Sequence, residues 1–185
     1  MQNKILILGP QGSGKGTQAV RLSQKLKLPA LSMGQLLRDE IATGSELGKE
    51  IDEIIHGDRP LVPDYMALDV LKKRLEQKDT ERGYILDGYP RTMEQYEMYK
   101  TFDIPTAVMV IDVPREESLK RLNKRAEIEG RSDDTPELIN RRLELYHEET
   151  EPVIETYRQE GILHVVDGVG EMEEVEQRVN DALEI

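Results

Sequence analysis

Lys15 stands in the run Gly9-Pro-Gln-Gly-Ser-Gly-Lys-Gly-Thr17, directly after an apolar stretch from Ile5 to Leu8. Glycines spaced this way let successive backbone N–H groups converge on one point without obstruction from Cβ atoms. A helical pattern follows from about Gly16, and a helix start adds unpaired N–H groups and the positive end of its dipole. The lysine supplies a mobile cation. Strand, glycine-rich loop and helix in that order make a cradle for the phosphates of a nucleoside triphosphate. The usual pattern puts a hydroxyl residue directly after the lysine. Here Gly16 intervenes and Thr17 comes one place later.

Arginines recur where strands and helices end. Arg38 lies in a helical stretch and Arg91 closes Leu86-Asp-Gly-Tyr-Pro-Arg91. Arg121 and Arg125 share a helix face, Arg131 sits in a polar turn, and Arg142 lies on the next helix. Singly, each reads as a solvated charge, and Glu117 is placed to pair with Arg121. As a set they suit the transfer of a phosphoryl group between two nucleotides, because planar guanidiniums stay charged and hold phosphate oxygens bidentately. Asp87 ends a strand that should lie beside the first, so it is the candidate acidic partner of Mg²⁺. With Gly16 in place of a hydroxyl, the ion would rest on phosphate oxygens and waters, with Asp87 reaching it through water. His56, His147 and His164 adjoin no motif and read as structural or surface groups. An acceptor that is itself a phosphate monoester explains why no general base stands out, since its second pKa is about 6.

The elements that must position these groups alternate. Strand-like runs fall at Lys4–Leu8, Pro29–Ser32, Tyr84–Leu86, Ala107–Ile111 and Ile162–Val166. Helical patterns fall at about Gly16–Leu26, Gly34–Thr43, Glu46–Ile55, Asp64–Gln77, Met93–Lys100, Arg115–Glu127, Pro136–Gln159 and Met172–Leu183. Pro63 and Pro136 suit first-turn positions, and Asp134-Thr135 offers a cap. Short, continuously apolar strands alternating with helices predict an α/β fold, a five-stranded parallel sheet with helices on both faces and ligands at the carboxyl ends of its strands. Three helices between the second and third strands, and the turn Ile128–Asp134, read as inserts over those ends. The 185 residues carry 25 Lys and Arg against 37 Asp and Glu, a net charge of −12, with no cysteine, no tryptophan and Phe102 as the one phenylalanine. That balance speaks against a nucleic-acid or anionic-membrane partner and excludes disulfides and cysteine zinc sites. The expectation is a cytoplasmic monomer.

These strings together resemble adenylate kinases of the short-lid type, within the nucleoside monophosphate kinases. The likeness runs through the phosphate loop, Gly34-Gln-Leu-Leu-Arg38, Gly44-Ser-Glu-Leu-Gly48, Leu86-Asp-Gly-Tyr-Pro-Arg-Thr92, Gly130-Arg-Ser-Asp-Asp134 and Arg141-Arg-Leu143. The resemblance implies a P-loop NTPase fold in one domain. Its core would be 1–31, 79–126 and 135–185, with a helical monophosphate-binding arm at about 32–62 and a short lid at about 127–134. It implies that Gly12, Ser13, Gly14, Lys15, Gly16 and Thr17 hold the ATP phosphates, that Arg121 stacks on the ATP adenine, and that Arg125 and Gly170 complete that site. On the AMP side it implies Arg38 and Arg91 as phosphate clamps and Gln95 against the base, with Met33, Val62 and Gly88 nearby. Arg131 and Arg142 would meet the transferring group. The catalytic set would then be Lys15, Arg91, Arg125, Arg131 and Arg142, with Asp87 holding Mg²⁺ through water and no structural zinc.

Three positions depart from the family pattern. Ser32-Met33-Gly34-Gln35 stands where members usually read Ser-Thr-Gly-Asp, so Met33 offers no hydroxyl near the acceptor base and Gln35 weakens the start of the arm helix. Gln11 also replaces a common proline. The Gln95 amide serves an adenine edge in one orientation and a uracil or guanine edge in the other. The expected reaction is reversible, Mg²⁺-dependent transfer from ATP to AMP giving two ADP, maintaining adenine nucleotide balance. The alternatives are a UMP/CMP or broad-specificity monophosphate kinase and, from another class, a nucleotide sensor without turnover.

Overall fold

The computed structural model describes residues 3–56, 62–129 and 135–185. Five strands, β1 (Asn3–Leu8), β2 (Ala30–Ser32), β3 (Gly83–Asp87), β4 (Ala107–Asp112) and β5 (Leu163–Asp167), form one sheet in the order β2-β3-β1-β4-β5. All four pairings are parallel. Strand ends fall within about one residue of the pattern read from sequence, as boundaries set by burial allow. Side chains alternate between the faces. Leu6, Leu8, Leu86, Val108 and Val110 enter one core, and Ile5, Ile7, Ile85, Met109 and Ile111 enter the other. Burial on both faces is why these strands read as unbroken apolar runs.

The helices sort onto the two cores. On one face α1 (Lys15–Leu26) and α9 (Met172–Ala182) contribute Ala19, Leu22, Val175 and Val179. The opposite face is covered by α2 (Met33–Ala42), α3 (Glu46–His56), α4 (Asp64–Leu75), α5 (Met93–Lys100) and α8 (Glu151–Gln159), with buried Met33, Ile51, Leu71, Tyr99 and Tyr157. The helices expected as an arm therefore share this core. A small third cluster, Leu122, Ile139 and Leu143, joins α6 (Arg115–Glu129) to α7 (Pro136–Leu145).

Several expectations need correction. The helix read as Arg115–Glu127 continues to Glu129, so Ile128, expected in the polar turn, is helical. Pro63 is not in the first turn of α4 but directly before it, at the cap position. Pro136 does open α7, and the Thr135 hydroxyl caps it by accepting from Leu138 N. The helix read as Pro136–Gln159 is two helices separated by a wide π turn, Tyr146–Thr150. Pro152 sits in the first turn of α8. Proline has no N–H to give to the preceding turn and its ring clashes there, so a regular helix cannot run through this point.

The string Gly44-Ser-Glu-Leu-Gly48 is explained by packing. A Cβ on Gly48 would stand 2.3 Å from the Glu40 carbonyl oxygen, so only glycine lets α3 approach α2 this closely. The Ser45 hydroxyl accepts from Gly48 N and donates to the Glu40 carboxylate, which also binds Lys73 of α4 at 2.9 Å. Gly48→Ala is expected to destabilise the protein by about 1–3 kcal/mol through forced separation of α2 and α3. Urea unfolding of the variant checks this.

Candidate active site

The register of β1 against β3 pairs Ile7 with Asp87, and Gly88 N donates to the Ile7 carbonyl at 3.1 Å. The phosphate loop and Asp87 thus leave the sheet side by side at its carboxyl edge. Gly9, Gly12 and Gly14 have φ of 144°, 80° and 89°, a region that suits glycine. A Cβ on Gly12 would lie 2.7 Å from the Ser118 carbonyl oxygen, which fixes how closely the loop lies on α6. Gly14 caps α1, so the helix begins at Lys15 rather than after it.

Lys15 folds back over the loop and donates from Nζ to the Pro10 carbonyl at 3.1 Å. Burial of the ammonium lowers its pKa from 10.5 to about 8; Asp87 opposes this shift, while Arg91 and Arg125 add to it. Burial raises the Asp87 carboxyl above its ordinary range, with Lys15 and Arg91 pulling the other way. The Arg91 guanidinium is lowered by burial, raised by Asp87 and lowered again by Arg142. Lys15, Asp87, Arg91, Arg125 and Arg142 are therefore electrostatic neighbours. Asp87 Oδ1 is buried without a hydrogen-bond partner among the described residues. Among the described residues no group of three His, Asp or Glu could hold a metal, so a cation here would have Asp87 and otherwise waters or ligand oxygens.

Arg91 is held by uncharged partners. Its Nε donates to the Gly88 carbonyl at 2.7 Å, its backbone N–H donates to Gln95 Oε1 at 2.7 Å, and its carbonyl accepts from the Thr150 hydroxyl at 2.8 Å. Gly88, at φ 78°, brings the chain round so closely that a Cβ would meet the guanidinium at 3.0 Å. Gln95 Nε2 donates to Asp64 Oδ1 at 2.6 Å, and the Thr92 hydroxyl, which caps α5, donates to Asp64 Oδ2 at 3.1 Å. Thr150 and Asp64 were missed in the sequence. The signal for Asp64 was its place straight after Pro63 at a helix start; the signal for Thr150 was the nearby Pro152.

The remaining candidates are distributed around this centre. Arg121 spans the loop, pairing with Glu117 at 2.7 Å and donating to the carbonyls of Ser13 at 3.3 Å and Gly168 at 3.0 Å. Gly170, with φ 120°, follows on that same segment just before α9. Ser13 is buried, Gly16 would bring a Cβ within 3.4 Å of Asp87 Oδ2, and Thr17 is exposed. Met33, 4% exposed, is a member of the larger core, and Val62 packs against it. Arg38 does not join the cluster; it is exposed on α2 and bonds Gln35 Oε1 at 2.7 Å. The Ser32 side chain makes no cap bond at the start of α2, in keeping with the loss of a carboxylate at Gln35. His147 pairs with Glu151 on the surface, and His164 lies on β5. Arg131 and Gly130 lie outside the described residues.

A sheet of this order, with a glycine-rich loop after β1 and basic groups around Asp87, defines a P-loop nucleotide-binding phosphotransferase. A family profile described as adenylate kinase matches residues 7–162. The adenylate kinase of Stenotrophomonas maltophilia (strain K279a) is 43% identical over 185 residues, covering 97% of this chain and 98% of the relative. That of Xylella fastidiosa (strain M23) is 43% identical over 186 residues with the same coverage, and that of Micrococcus luteus is 44% identical, covering 97% of this chain and 90% of the relative. The chain belongs to the adenylate kinase family, enzymes of phosphoryl transfer to nucleoside monophosphates. Among its described residues, no helix is long and apolar enough to cross a membrane.

The Lys15 shift fixes a pH dependence. Between about 8 and 10.5 the unfolded chain holds a proton that the folded lysine has lost, so this group makes stability rise with pH across that window. Below about 8 both states are protonated and the fold carries the full cost of the buried charge. Lys15→Met is expected to be more stable than the parent near neutral pH and to lose that advantage as pH approaches 10.5. Paired urea titrations across this range check it.

Proposed function

We propose that this chain transfers the γ-phosphoryl group of ATP to AMP, reversibly and with Mg²⁺, giving two ADP. The single observation that carries the proposal is the grouping of Lys15 and Arg91 around Asp87 at the carboxyl edge of β1 and β3, with Arg125 acting on Lys15 and Arg142 on Arg91. Two nucleotides bring several negative charges to one point, and fixed cations that need no rearrangement are what such a transition state requires.

In this reading the amides of the Gly12–Thr17 loop and Lys15 hold the ATP phosphates. Arg121 and the segment at Gly170 flank its base, and Arg125 reaches its phosphates. Arg91 clamps the acceptor phosphate from the turn at Gly88. Arg38 reaches it from α2, and Gln95, Val62 and Met33 border the acceptor base. Arg142, with Arg131 of the lid, contacts the group in flight. An oxygen of the AMP phosphate attacks the γ-phosphorus as the bond to the β-phosphate oxygen breaks. That oxygen is already anionic near neutral pH, so none of the three histidines is needed as a base. The unpartnered Asp87 oxygen suits a water of a hydrated Mg²⁺, which would neutralise charge on the phosphates. Closure of the lid would exclude water and protect ATP from hydrolysis.

Met33 is the observation that favours a second reading, a kinase for UMP, CMP or a broader set. Its thioether donates no hydrogen bond that could single out one base. A panel of AMP, UMP, CMP and GMP with Mg·ATP separates the two: ADP formation with AMP far above the rest supports the first, comparable turnover of pyrimidine monophosphates the second. Arg91→Ala is expected to lower kcat/KM by about 10²–10³-fold with the fold retained, because it removes a preorganised cation from the charge that develops. Near-normal kcat/KM in a folded variant would remove Arg91 from the mechanism.

A further inference from the structure

We infer that Asp64 is a positioning residue that locks the polarity of the Gln95 amide. It thereby makes the acceptor site selective for bases presenting a ring-nitrogen acceptor beside an exocyclic amino donor, as adenine and cytosine do. The inference rests on the proposal that Gln95 borders the acceptor base.

Gln95 is 8% exposed and both ends of its amide are engaged. The partners dictate which end is which. The Arg91 backbone N–H can only donate, so the group facing it at 2.7 Å must be the carbonyl oxygen. A carboxylate can only accept, so the group facing Asp64 Oδ1 at 2.6 Å must be the NH₂. Turning the amide over would set donor against donor at Arg91 and oxygen against oxygen at Asp64. Two faulty contacts in a buried place are costly to leave unmade. Asp64 is itself fixed, since its other oxygen accepts from the Thr92 hydroxyl and that hydroxyl accepts from Gln95 N.

One N–H and one oxygen lone pair of the amide then have no partner among the described residues. A nitrogen that donates and an oxygen that accepts match N1 and the 6-amino group of adenine, or N3 and the 4-amino group of cytosine. Hypoxanthine, guanine and uracil present the reverse, a ring N–H beside a carbonyl. A site built to form hydrogen bonds rejects a partner that leaves them unpaired. The ambiguity that Gln95 carries in the sequence is resolved by a residue of another helix.

The test uses acceptor pairs of equal size that differ only in this edge, AMP against IMP and CMP against UMP. With Mg·ATP, the intact protein should favour the amino member of each pair. Asp64→Asn keeps the shape but allows an N–H to face Gln95, leaving the Arg91 N–H as the remaining constraint. The AMP-to-IMP ratio of kcat/KM should fall by about tenfold, chiefly through KM for the monophosphate, with KM for ATP unchanged. Asp64→Glu, which keeps the carboxylate, should recover part of the ratio. A ratio unchanged in folded Asp64→Asn overturns the inference and leaves the functional reading standing. Absence of transfer to any acceptor by the unaltered protein overturns both. If Asp64→Asn fails to fold, the Gln95 side-chain amide of the unaltered ¹⁵N-labelled protein decides. Assigned by its loss in Gln95→Leu, it should give hydrogen-bonded, exchange-protected signals, and solvent-like signals would overturn the inference.

Discussion

Like charges held together are the constraint on which this molecule is organised. Lys15, Arg91, Arg125 and Arg142 are electrostatic neighbours, with Asp87 a carboxylate among them. Left to themselves these side chains would spread into water. For Lys15 and Arg91 the sheet keeps them close, because parallel pairing of Ile7 with Asp87 delivers their two chain segments to the same place. The rest of the chain carries an excess of acid, with a net charge of −12, so the cationic pocket is a local exception. In the proposed reading, a surface that repels anions overall and attracts them at one edge would confine phosphate binding to that edge.

Among the described residues, neutral groups rather than ion pairs fix Arg91. A carbonyl and an amide side chain from its own neighbourhood in sequence, and a hydroxyl from a distant segment, hold it by its backbone and its Nε. An arginine tied to a carboxylate would have its charge answered before any ligand came. Holding it by dipoles keeps the charge unspent while removing the freedom of the side chain, and that combination is what preorganisation means in physical terms.

The parts of this arrangement differ in how far they could be read from sequence. The strands were legible because burial on both faces leaves an unbroken apolar run, and the phosphate loop was legible because Gly12 lies against the Ser118 carbonyl, where a Cβ cannot fit. Arg91 was legible as a strand-end cation. Contacts between distant segments were not. Asp64 and Gln95 are 31 positions apart, and Thr150 and Arg91 are 59 apart. Local patterning records which face of an element is buried, but not which hydroxyl meets which carbonyl. The seven tyrosines illustrate the same limit. The Tyr84 and Tyr99 hydroxyls lie 2.5 Å apart beside Asp103, a buried polar network that the residues' spacing does not announce.

The wide turn at Tyr146–Thr150 has a consequence for how α7 and α8 relate. Upstream, Ile139 and Leu143 face α6; downstream, Val153, Ile154 and Tyr157 face the core beneath the sheet. In a uniform helix each added residue turns everything after it by about 100°, so one extra residue in a turn re-aims the whole downstream segment. The turn works as a phase adjuster, letting one rod serve two surfaces that a constant twist could not face together. Thr150 closes this turn, so the angular correction that seats α8 also aims the hydroxyl at the Arg91 carbonyl. Packing and site geometry here share one degree of freedom, and drift in one is felt at once by the other.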